Sequence, residues 1–357
     1  MSPPLNLLFA FGRPFSPIYS LLMTLRQQLY RTHVFTVHRL PVPVISVGNL
    51  TMGGTGKTPT VAYIAQYLYS IGHRPAIISR GYGGTATAAV NLVSDGNQVY
   101  LNAHQAGDEP YMLACNLKNI PVLTGKIRIR PCRHAIEALG STVLILDDGF
   151  QHISIARDID LVLFNAATLA GNSRVFPGGE LREPVSALNR CSAFLLTGIT
   201  DSNRIRAERF GELLQKRFPG KPIFSSSVVA VAPEPLQVDT APGKQLRPAY
   251  AFCAIAHPDR FFTTLSSLDI PIIGQYTLRD HHRYSQHEID AICQRARQAG
   301  AGSLITTEKD RVKLETLHIS LPLLTLKTSF ATDDAFPEYL GTSIQQFSPS
   351  APAPAPR

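Results

Sequence analysis

A glycine-rich segment, Gly48 to Thr58, constrains the fold of this chain more than any other feature of its sequence. It follows a short apolar run, Val42 to Val47, and precedes a helical pattern that begins near Pro59. Glycines allow backbone N–H groups to turn inward around a polyphosphate. The segment is therefore predicted to be a phosphate-binding loop, in a variant form where Thr51 replaces a glycine of the strict pattern.

The end of this loop supplies the side chains that phosphate chemistry requires. Lys57 would place a positive charge near the β- and γ-phosphates, and the Thr58 hydroxyl would ligate Mg²⁺. A glycine-rich turn with an accidental Gly-Lys-Thr is the alternative, but it does not explain the strand before the loop or the helix after it. The predicted nucleotide-binding residues of the loop are Gly53, Gly54, Thr55, Gly56, Lys57 and Thr58.

A second apolar run, Ser141 to Leu146, ends in Asp147 and Asp148. This pattern is typical of a buried parallel strand that delivers carboxylates at its C-terminal edge. On their own, two adjacent aspartates could merely open a polar turn. In a protein with a phosphate-binding loop, such a strand end holds Mg²⁺ opposite the loop threonine, and both aspartates are predicted metal ligands.

The composition indicates a folded protein with an anionic partner. Hydrophobic residues make up 44% of the chain and charged residues 17%, which excludes general disorder. The net charge of +8 is compatible with a nucleic acid, a membrane surface or a phosphorylated substrate. No aromatic and basic signature of a nucleic-acid reader accompanies it. The five cysteines are scattered without metal-binding spacing, which is typical of reduced thiols in a cytosolic compartment.

The first forty residues are apolar, but Arg13, Pro14 and Pro17 interrupt them, which argues against a membrane-spanning helix. From Pro17 onward, an apolar stripe recurs at helical spacing and basic residues follow it. The pattern predicts an amphipathic helix that lies on an anionic membrane surface, with packing on the protein's own core as the alternative. The stripe comprises Ile18, Leu21, Leu22, Leu25 and Leu29.

Short apolar runs alternate with helical patterns along most of the chain, which predicts an α/β fold: a phosphate-loop parallel sheet flanked by helices, with a smaller C-terminal α/β lobe. A Ser-, Pro- and Val-rich stretch interrupts the alternation and predicts a boundary or small β insert. The predicted divisions are an N-terminal helical segment (1–40), a core domain (41–223), the insert (224–247), a C-terminal α/β part that completes the active site (248–345) and a disordered Pro/Ala-rich tail (346–357).

The ordered motifs of the chain resemble those of the tetraacyldisaccharide 4′-kinase family. The resemblance extends from the N-terminal helix to about Phe330 and rests on these segments: Gly48–Pro59, Ile78–Gly84, Gly107–Pro110, Asp147–His152, Leu181–Pro184, Asp280–His282 and Thr306–Asp310. It departs from the family pattern at Asn165, where an aspartate is expected, and at Ala254 and Ala256, where the family often has glycines. The resemblance implies phosphorylation of the 4′-hydroxyl of an acylated disaccharide 1-phosphate lipid by ATP and Mg²⁺, on the cytoplasmic face of the bacterial inner membrane.

A sugar hydroxyl needs a proton acceptor in such a reaction. Asp108 lies in a turn that opens a helix, where its carboxylate could be only an N-cap, but the resemblance implies that it is the base and that His281 is its partner. Zinc binding by the His281 cluster is disfavoured because no third ligand has suitable spacing. Arg182 is predicted to bind phosphate oxygens, and Glu183 is predicted to be a further metal ligand.

A regulatory ATPase or GTPase switch is the main alternative function. Such ATPases commonly carry a lysine early in the loop, where this chain has Met52. The Asn-Lys-x-Asp sequence with which GTPases bind guanine does not occur in the chain.

Overall fold

The computed structural model describes residues 3–235, 248–256, 258–280 and 282–347. His281, the predicted partner of the base, lies outside the described residues. So do residues 236–247 of the predicted insert and residues 348–357 of the predicted tail.

The described strands are distributed along the whole length of the chain. They are β1 (Val44–Asn49), β2 (Pro75–Ser79), β3 (Asn91–Ser94), β4 (Val122–Thr124), β5 (Val143–Asp147), β6 (Ile159–Asn165), β7 (Ala193–Thr197), β8 (Ile223–Pro235), β9 (Ala249–Cys253), β10 (Ile272–Thr277), β11 (Ser303–Thr307) and β12 (Leu323–Thr332).

Helices alternate with these strands after two helices at the N-terminus. They are α1 (Pro3–Gly12), α2 (Ser16–Arg31), α3 (Lys57–Ser70), α4 (Ala103–Ala106), α5 (Asp108–Asn116), α6 (Ile129–Glu137), α7 (Arg204–Arg217), α8 (Pro258–Ser267), α9 (Gln286–Gln298), α10 (Glu308–Arg311) and α11 (Ala335–Gln345). Short 3₁₀ helices occupy Arg13–Phe15 and Val185–Arg190.

The described strands form one sheet in the order β10-β9-β11-β12-β8-β7-β6-β1-β5-β2-β4-β3. Neighbouring strands are parallel except in the pairs β3 with β4 and β8 with β12. The predicted α/β fold with a mainly parallel sheet is therefore confirmed.

Strand β1 lies between β5 and β6 and is parallel to both. Because the strands are parallel, their carboxyl ends meet at one edge of the sheet. The register places Val47 opposite Asp147. The glycine-rich loop after β1 and the carboxylates at the end of β5 consequently begin side by side.

Alternate residues of β1 point to opposite faces of the sheet, and helices cover both faces. Ile45 and Val47 belong to a buried cluster with Val61 and Ile64 of α3, and α5 and α11 contribute to the same cluster. Val44 belongs to a cluster on the other face, which includes Cys132 and Ala135 of α6. Burial on both faces explains why this strand reads as a continuous apolar run.

The long pair of β8 and β12 joins two groups of parallel strands. At its start β8 pairs with β7, with Phe194 opposite Ile223, and beyond Ser225 it pairs with β12 in the antiparallel direction. The predicted insert thus begins as a strand of the sheet, and the strands of residues 248–345 continue the sheet from β12. The division of the chain into domains stays a prediction.

Helix α2 contacts the rest of the protein through its polar and aromatic side chains. The Ser16 hydroxyl donates to the Val175 carbonyl at 2.8 Å, and Tyr19 packs edge-on against Phe176. Most of its apolar stripe points outward: Ile18, Leu21, Leu22 and Leu25 are 52–69% exposed, whereas Leu29 is half-buried. Within the described part of the chain, no helix combines the length and apolarity needed to cross a membrane.

Candidate active site

A cleft of about 590 Å³ opens at the carboxyl ends of the central strands. One wall consists of the glycine-rich loop and the first residues of α3. A second wall consists of the ends of β2 and β5 and the start of α5. Three residues from the C-terminal part of the chain complete the cleft: Ala256, Asp280 and Lys309. Ligands of open α/β sheets bind at this edge, which makes the cleft the candidate active site.

The backbone of the loop has the conformation that a phosphate cradle requires. Gly53 and Gly56 have φ angles of +105° and +77°, in the left-handed region that favours glycine. A Cβ added at Gly53 or Gly54 would meet no atom within 4 Å, because both face the open cleft. The loop therefore presents bare backbone to a ligand.

Side chains from three strand ends donate hydrogen bonds to carbonyls of the loop, which leaves its N–H groups for a ligand. The Asn49 amide donates to the Thr51 carbonyl at 2.7 Å, and the Thr197 hydroxyl donates to the Thr55 carbonyl at 2.8 Å. The amide of Asn165 donates to the Gly54 carbonyl at 3.2 Å. The departure from the family pattern at Asn165 thus places an amide donor where an ionised aspartate could only accept.

Lys57 is fixed by two oxygen atoms at the base of the cleft. Its Nζ donates to Asn49 Oδ1 at 3.1 Å and lies 3.5 Å from Asp148 Oδ1. Thr58 is the next residue of α3 and also lines the cleft. The structure therefore brings the predicted loop residues together with the predicted carboxylates.

Asp147 is a buried carboxylate, and only one of its two oxygens has a hydrogen-bond partner among the described residues. Its Oδ2 accepts from the Ser79 hydroxyl at 3.2 Å, whereas its Oδ1 is buried without a hydrogen-bond partner among the described residues. Burial, Glu109 and Asp148 raise the pKa of Asp147 to about 6. An unsatisfied carboxylate oxygen in a cleft that Asp148 and Thr58 also line fits Mg²⁺, which prefers oxygen ligands.

Asp148 is the most constrained residue of the site. Its φ of +50° is unusual for a residue with a side chain. Arg182 Nη1 donates to both carboxylate oxygens at 3.0 Å, and Arg128 Nη1 donates to its carbonyl at 3.0 Å. Burial alone would raise the pKa of Asp148, but Lys57 and Arg182 outweigh it and the pKa is lowered. Asp148 is consequently held as a carboxylate.

Glu183 is the one predicted metal ligand that the structure does not bring to this group. Both of its carboxylate oxygens accept from Arg190, at 2.8 and 2.9 Å, and the residue is buried. It does not line the cleft, whereas its neighbour Arg182 does.

Asp108 lines the cleft as the first residue of α5. Gly107 occupies the capping position of that helix, so Asp108 is not the N-cap that the sequence left as an alternative. Its Oδ2 lies 3.8 Å from the Nζ of Lys313, a lysine that is itself buried and paired with Asp310. The cleft-facing carboxylate of Asp108 therefore has a lysine ammonium beside it.

The remaining arginines and the histidine of these motifs differ in exposure. Arg80 lines the cleft, and Arg128 is buried beside Asp148. Arg130, by contrast, is exposed. His152 lies behind the loop, where burial and the charges of nearby arginines lower its pKa to about 4.

Three residues that complete the site lie within the quoted family motifs, but no role was predicted for them from the sequence. Asn49 ends β1 and positions Lys57, Ser79 ends β2 and bonds to Asp147, and Lys309 follows β11. Each stands at the carboxyl end of a strand, which is the signal that could have identified it. The described residues contain no group of three or more His, Cys, Asp or Glu side chains placed to hold a metal ion, and zinc binding by the His281 cluster stays untested because His281 lies outside them.

Comparisons with known proteins agree with this geometry. Residues 8–345 match the sequence model of the LpxK family, described as tetraacyldisaccharide-1-P 4′-kinase. The tetraacyldisaccharide 4′-kinase of Desulfotalea psychrophila is 46% identical over 334 residues, which cover 92% of this chain and 95% of that protein. The enzyme of the same name from Syntrophus aciditrophicus is 40% identical over 319 residues, covering 86% of this chain and 85% of that protein.

A solved structure is also similar over nearly the whole chain. The crystal structure of LpxK from Aquifex aeolicus in complex with ATP superimposes with a TM-score of 0.73. The two chains are 29% identical, and the match covers 93% of this chain and 97% of that one.

Proposed function

The chain belongs to the tetraacyldisaccharide-1-phosphate 4′-kinase family and is a kinase, and we propose that it transfers the γ-phosphoryl group of ATP to the 4′-hydroxyl of an acylated disaccharide 1-phosphate. The observation that carries this proposal is the convergence of Lys57, Asp147, Asp148 and Asp108 on one cleft. A regulatory nucleotide switch loses its support, because the family match extends over residues 8–345.

The residues of the cleft divide into those that bind the nucleotide and those that act on the acceptor. The backbone of Gly53–Gly56 and the Lys57 ammonium would bind the phosphates, with Arg182 adding a second cation. Thr58, Asp147 and Asp148 would hold Mg²⁺, which neutralises charge on the phosphate oxygens when it is bound. Glu183 is left out of this set because it is buried, does not line the cleft and is paired with Arg190.

Asp108 is proposed to accept the proton of the attacking hydroxyl. It faces the same cleft as Lys57 from the opposite helix, and Lys313 keeps a positive charge 3.8 Å from its carboxylate. His281 remains proposed as its partner on the strength of the family resemblance. A positioned base contributes about 10²- to 10⁴-fold to the rate of such a step.

The N-terminal helices are proposed to bring the cleft to its lipid substrate. The outward side chains Leu8, Phe11 and Phe15 are exposed in and after α1, as is the stripe Ile18–Leu25 of α2. Exposed apolar groups of this size are typical of a membrane-contacting surface. The protein is therefore proposed to act peripherally, on the cytoplasmic face of a bacterial inner membrane.

The decisive experiment is a phosphorylation assay with the purified full chain, Mg²⁺-ATP and a tetraacylated glucosamine disaccharide 1-phosphate in mixed micelles. Mass spectrometry should show a product that is heavier by one phosphoryl group, and phosphorus NMR should place that group at the 4′ position. Lys57→Ala protein provides the matched control. Hydrolysis of ATP that is independent of the disaccharide, with no phosphorylated lipid, would refute the proposal.

A further inference from the structure

Two buried ion pairs lie behind the cleft. Arg190 and Glu183 form a two-pronged pair, with Nη1 2.8 Å from Oε2 and Nη2 2.9 Å from Oε1. Arg157 Nη2 lies 3.1 Å from Asp160 Oδ2. The four side chains are at most 13% exposed, and their charges balance. Removing four charged groups from water has a large desolvation free energy even when the groups are paired, so such pairs are weak evidence for a role in stability alone.

Both arginines also bind the backbone that follows Asp148. Arg190 Nη2 donates to the Phe150 carbonyl at 2.8 Å, and its guanidinium lies 3.7 Å from the centre of the Phe150 ring. Arg157 Nη1 contacts the carbonyls of Gly149 and Phe150 at 3.2 and 3.3 Å. The buried pairs therefore clamp the loop from Gly149 to Phe150.

The loop needs such a clamp because of the backbone conformation of Asp148. A non-glycine residue at a φ of +50° is strained, and it keeps this conformation only when the surrounding structure imposes it. The carbonyls immediately after Asp148 are those that the two arginines hold. The clamp thus stabilises the backbone that aims the Asp148 carboxylate.

The same clamp holds the partner of Asp148. Arg182 and Glu183 are adjacent, and their side chains point in opposite directions: Arg182 to Asp148 in the cleft, Glu183 to Arg190 in the interior. The turn that carries Arg182 and the loop that carries Asp148 are consequently joined in two places. Arg182 binds Asp148 in the cleft, and Arg190 links Glu183 to the Phe150 carbonyl in the interior. A shift of about 1 Å between such groups can lower the rate of a reaction about a hundredfold.

We propose that Glu183, Arg190 and Arg157 are positioning residues that hold Asp148 and Arg182 at the cleft, and that Glu183 acts through Arg190 rather than on a metal ion. The inference rests on the proposed function, because it assigns these residues to the phosphoryl-transfer step.

The first test compares Glu183→Gln, which preserves the size of the side chain, with Arg190→Lys, which keeps the charge but loses the planar guanidinium, in steady-state kinetics at varied Mg²⁺. Both variants should lower kcat about ten- to a hundredfold while the Mg²⁺ concentration for half-maximal rate stays within about twofold of wild type. If Glu183 is a metal ligand, Glu183→Gln alone should raise that concentration tenfold or more, which would overturn the proposal. Wild-type rates in both variants would overturn it as well.

A double-variant cycle separates positioning from general support of the fold. Because the clamp acts through the pair of Arg182 and Asp148, Glu183→Gln should have little further effect on kcat in the Arg182→Ala protein. Full additivity would refute the positioning role. Arg297→Met, which removes an exposed arginine of α9 far along the chain, is the control for loss of one guanidinium.

Two further measurements keep the outcomes distinct. Thermal unfolding identifies a variant that fails to fold, and Glu183→Gln then carries the test, since it retains the shape of the buried side chain. Calorimetric titration of ATP reports nucleotide binding without turnover. If the wild-type protein binds ATP but phosphorylates no lipid, the proposed function fails; an active wild type with unaffected variants removes only the clamp.

Discussion

The ammonium of Lys57 lies 3.5 Å from the carboxylate of Asp148, so the lysine of the phosphate loop and the acidic end of the neighbouring strand form one charged unit. Arg182 binds the same carboxylate from the other side, at 3.0 Å. Two cations therefore share one anion at the base of the cleft. One carboxylate does not neutralise both cations, so Lys57 and Arg182 can also bind the oxygens of a polyphosphate.

Substitution of Lys57 by alanine should abolish turnover and leave the fold intact. Lys57 would stabilise charge on the transferring phosphoryl group, so a loss of several kcal/mol of transition-state stabilisation is expected. Thr58→Ala should have a similar effect through the metal ion. Steady-state assays together with circular dichroism check both variants, and near-normal activity of folded Lys57→Ala protein would contradict the assignment.

Asp148→Ala and Asp108→Ala should fail in different ways. Removing Asp148 releases Lys57 and Arg182, so affinity for ATP without metal should be unchanged or higher, whereas affinity for Mg²⁺-ATP should fall. Removing Asp108 should leave both affinities nearly unchanged and lower kcat about 10²- to 10⁴-fold.

Calorimetric titration of ATP with and without Mg²⁺ distinguishes these two variants. Asp108→Asn, which keeps the size of the side chain, is the matched control for the base. The role of Asp108 would be untenable if its alanine variant lost Mg²⁺-ATP binding as severely as Asp148→Ala.

The sequence predicted the fold and the centre of the site because both depend on local patterns. Buried parallel strands read as apolar runs, and the loop and the paired aspartates follow two of them directly. The partners of these residues could not be predicted in the same way. Lys313 lies 205 positions after Asp108, and only the packing of α10 near α5 brings the two together.

Glu183 illustrates the same limit within a motif. Arg182 and Glu183 are adjacent polar residues in one turn, a pattern that suggests two ligands of one site. Their side chains nevertheless point in opposite directions, as neighbouring side chains of an extended segment do. Whether Glu183 faces the cleft or the interior depends on Arg190, which the sequence pattern did not mark.

The stability of the protein should depend on His152 between pH 6.5 and pH 4. Burial and the charges of Arg128 and Arg157 lower the pKa of His152 to about 4, below the value of about 6.5 in an unfolded chain. The unfolded state therefore takes up the proton first as the pH falls. The contribution of His152 is complete above about pH 6.5 and is lost progressively toward pH 4.

Urea unfolding at pH 7 and pH 4.5 measures this effect. His152→Gln should lose less stability than wild type between the two pH values, whereas His104→Gln, at an exposed position of α4, should follow wild type. An unchanged pH dependence in His152→Gln would show that other groups cause the loss.

Binding to an anionic membrane should depend on the outward stripe of α2. The inward face of α2 contacts active-site segments, so the stripe has to be tested without removing the helix. Tyr19 donates to the Arg182 carbonyl at 3.2 Å and Arg26 to the Gln151 carbonyl at 3.0 Å, so deletion of the helix would also disturb the active site. Replacing Leu21, Leu22 and Leu25 together with glutamine keeps both contacts. A leucine moved fully from water into an apolar phase contributes roughly 1.5–3 kcal/mol, so even partial burial of three predicts at least about a tenfold loss of vesicle affinity.

Cosedimentation with anionic vesicles measures that affinity, and the kinetic assay should show a higher KM for the acylated substrate with little change in kcat. Leu213→Gln, at an exposed position of α7, is the control for removal of an exposed leucine. High salt should release the wild-type protein only in part, because screening weakens the attraction of the exposed Arg31 to headgroups but not apolar burial. If the triple variant cosediments as strongly as wild type, the stripe does not contact the membrane and the lipid must be met by another surface.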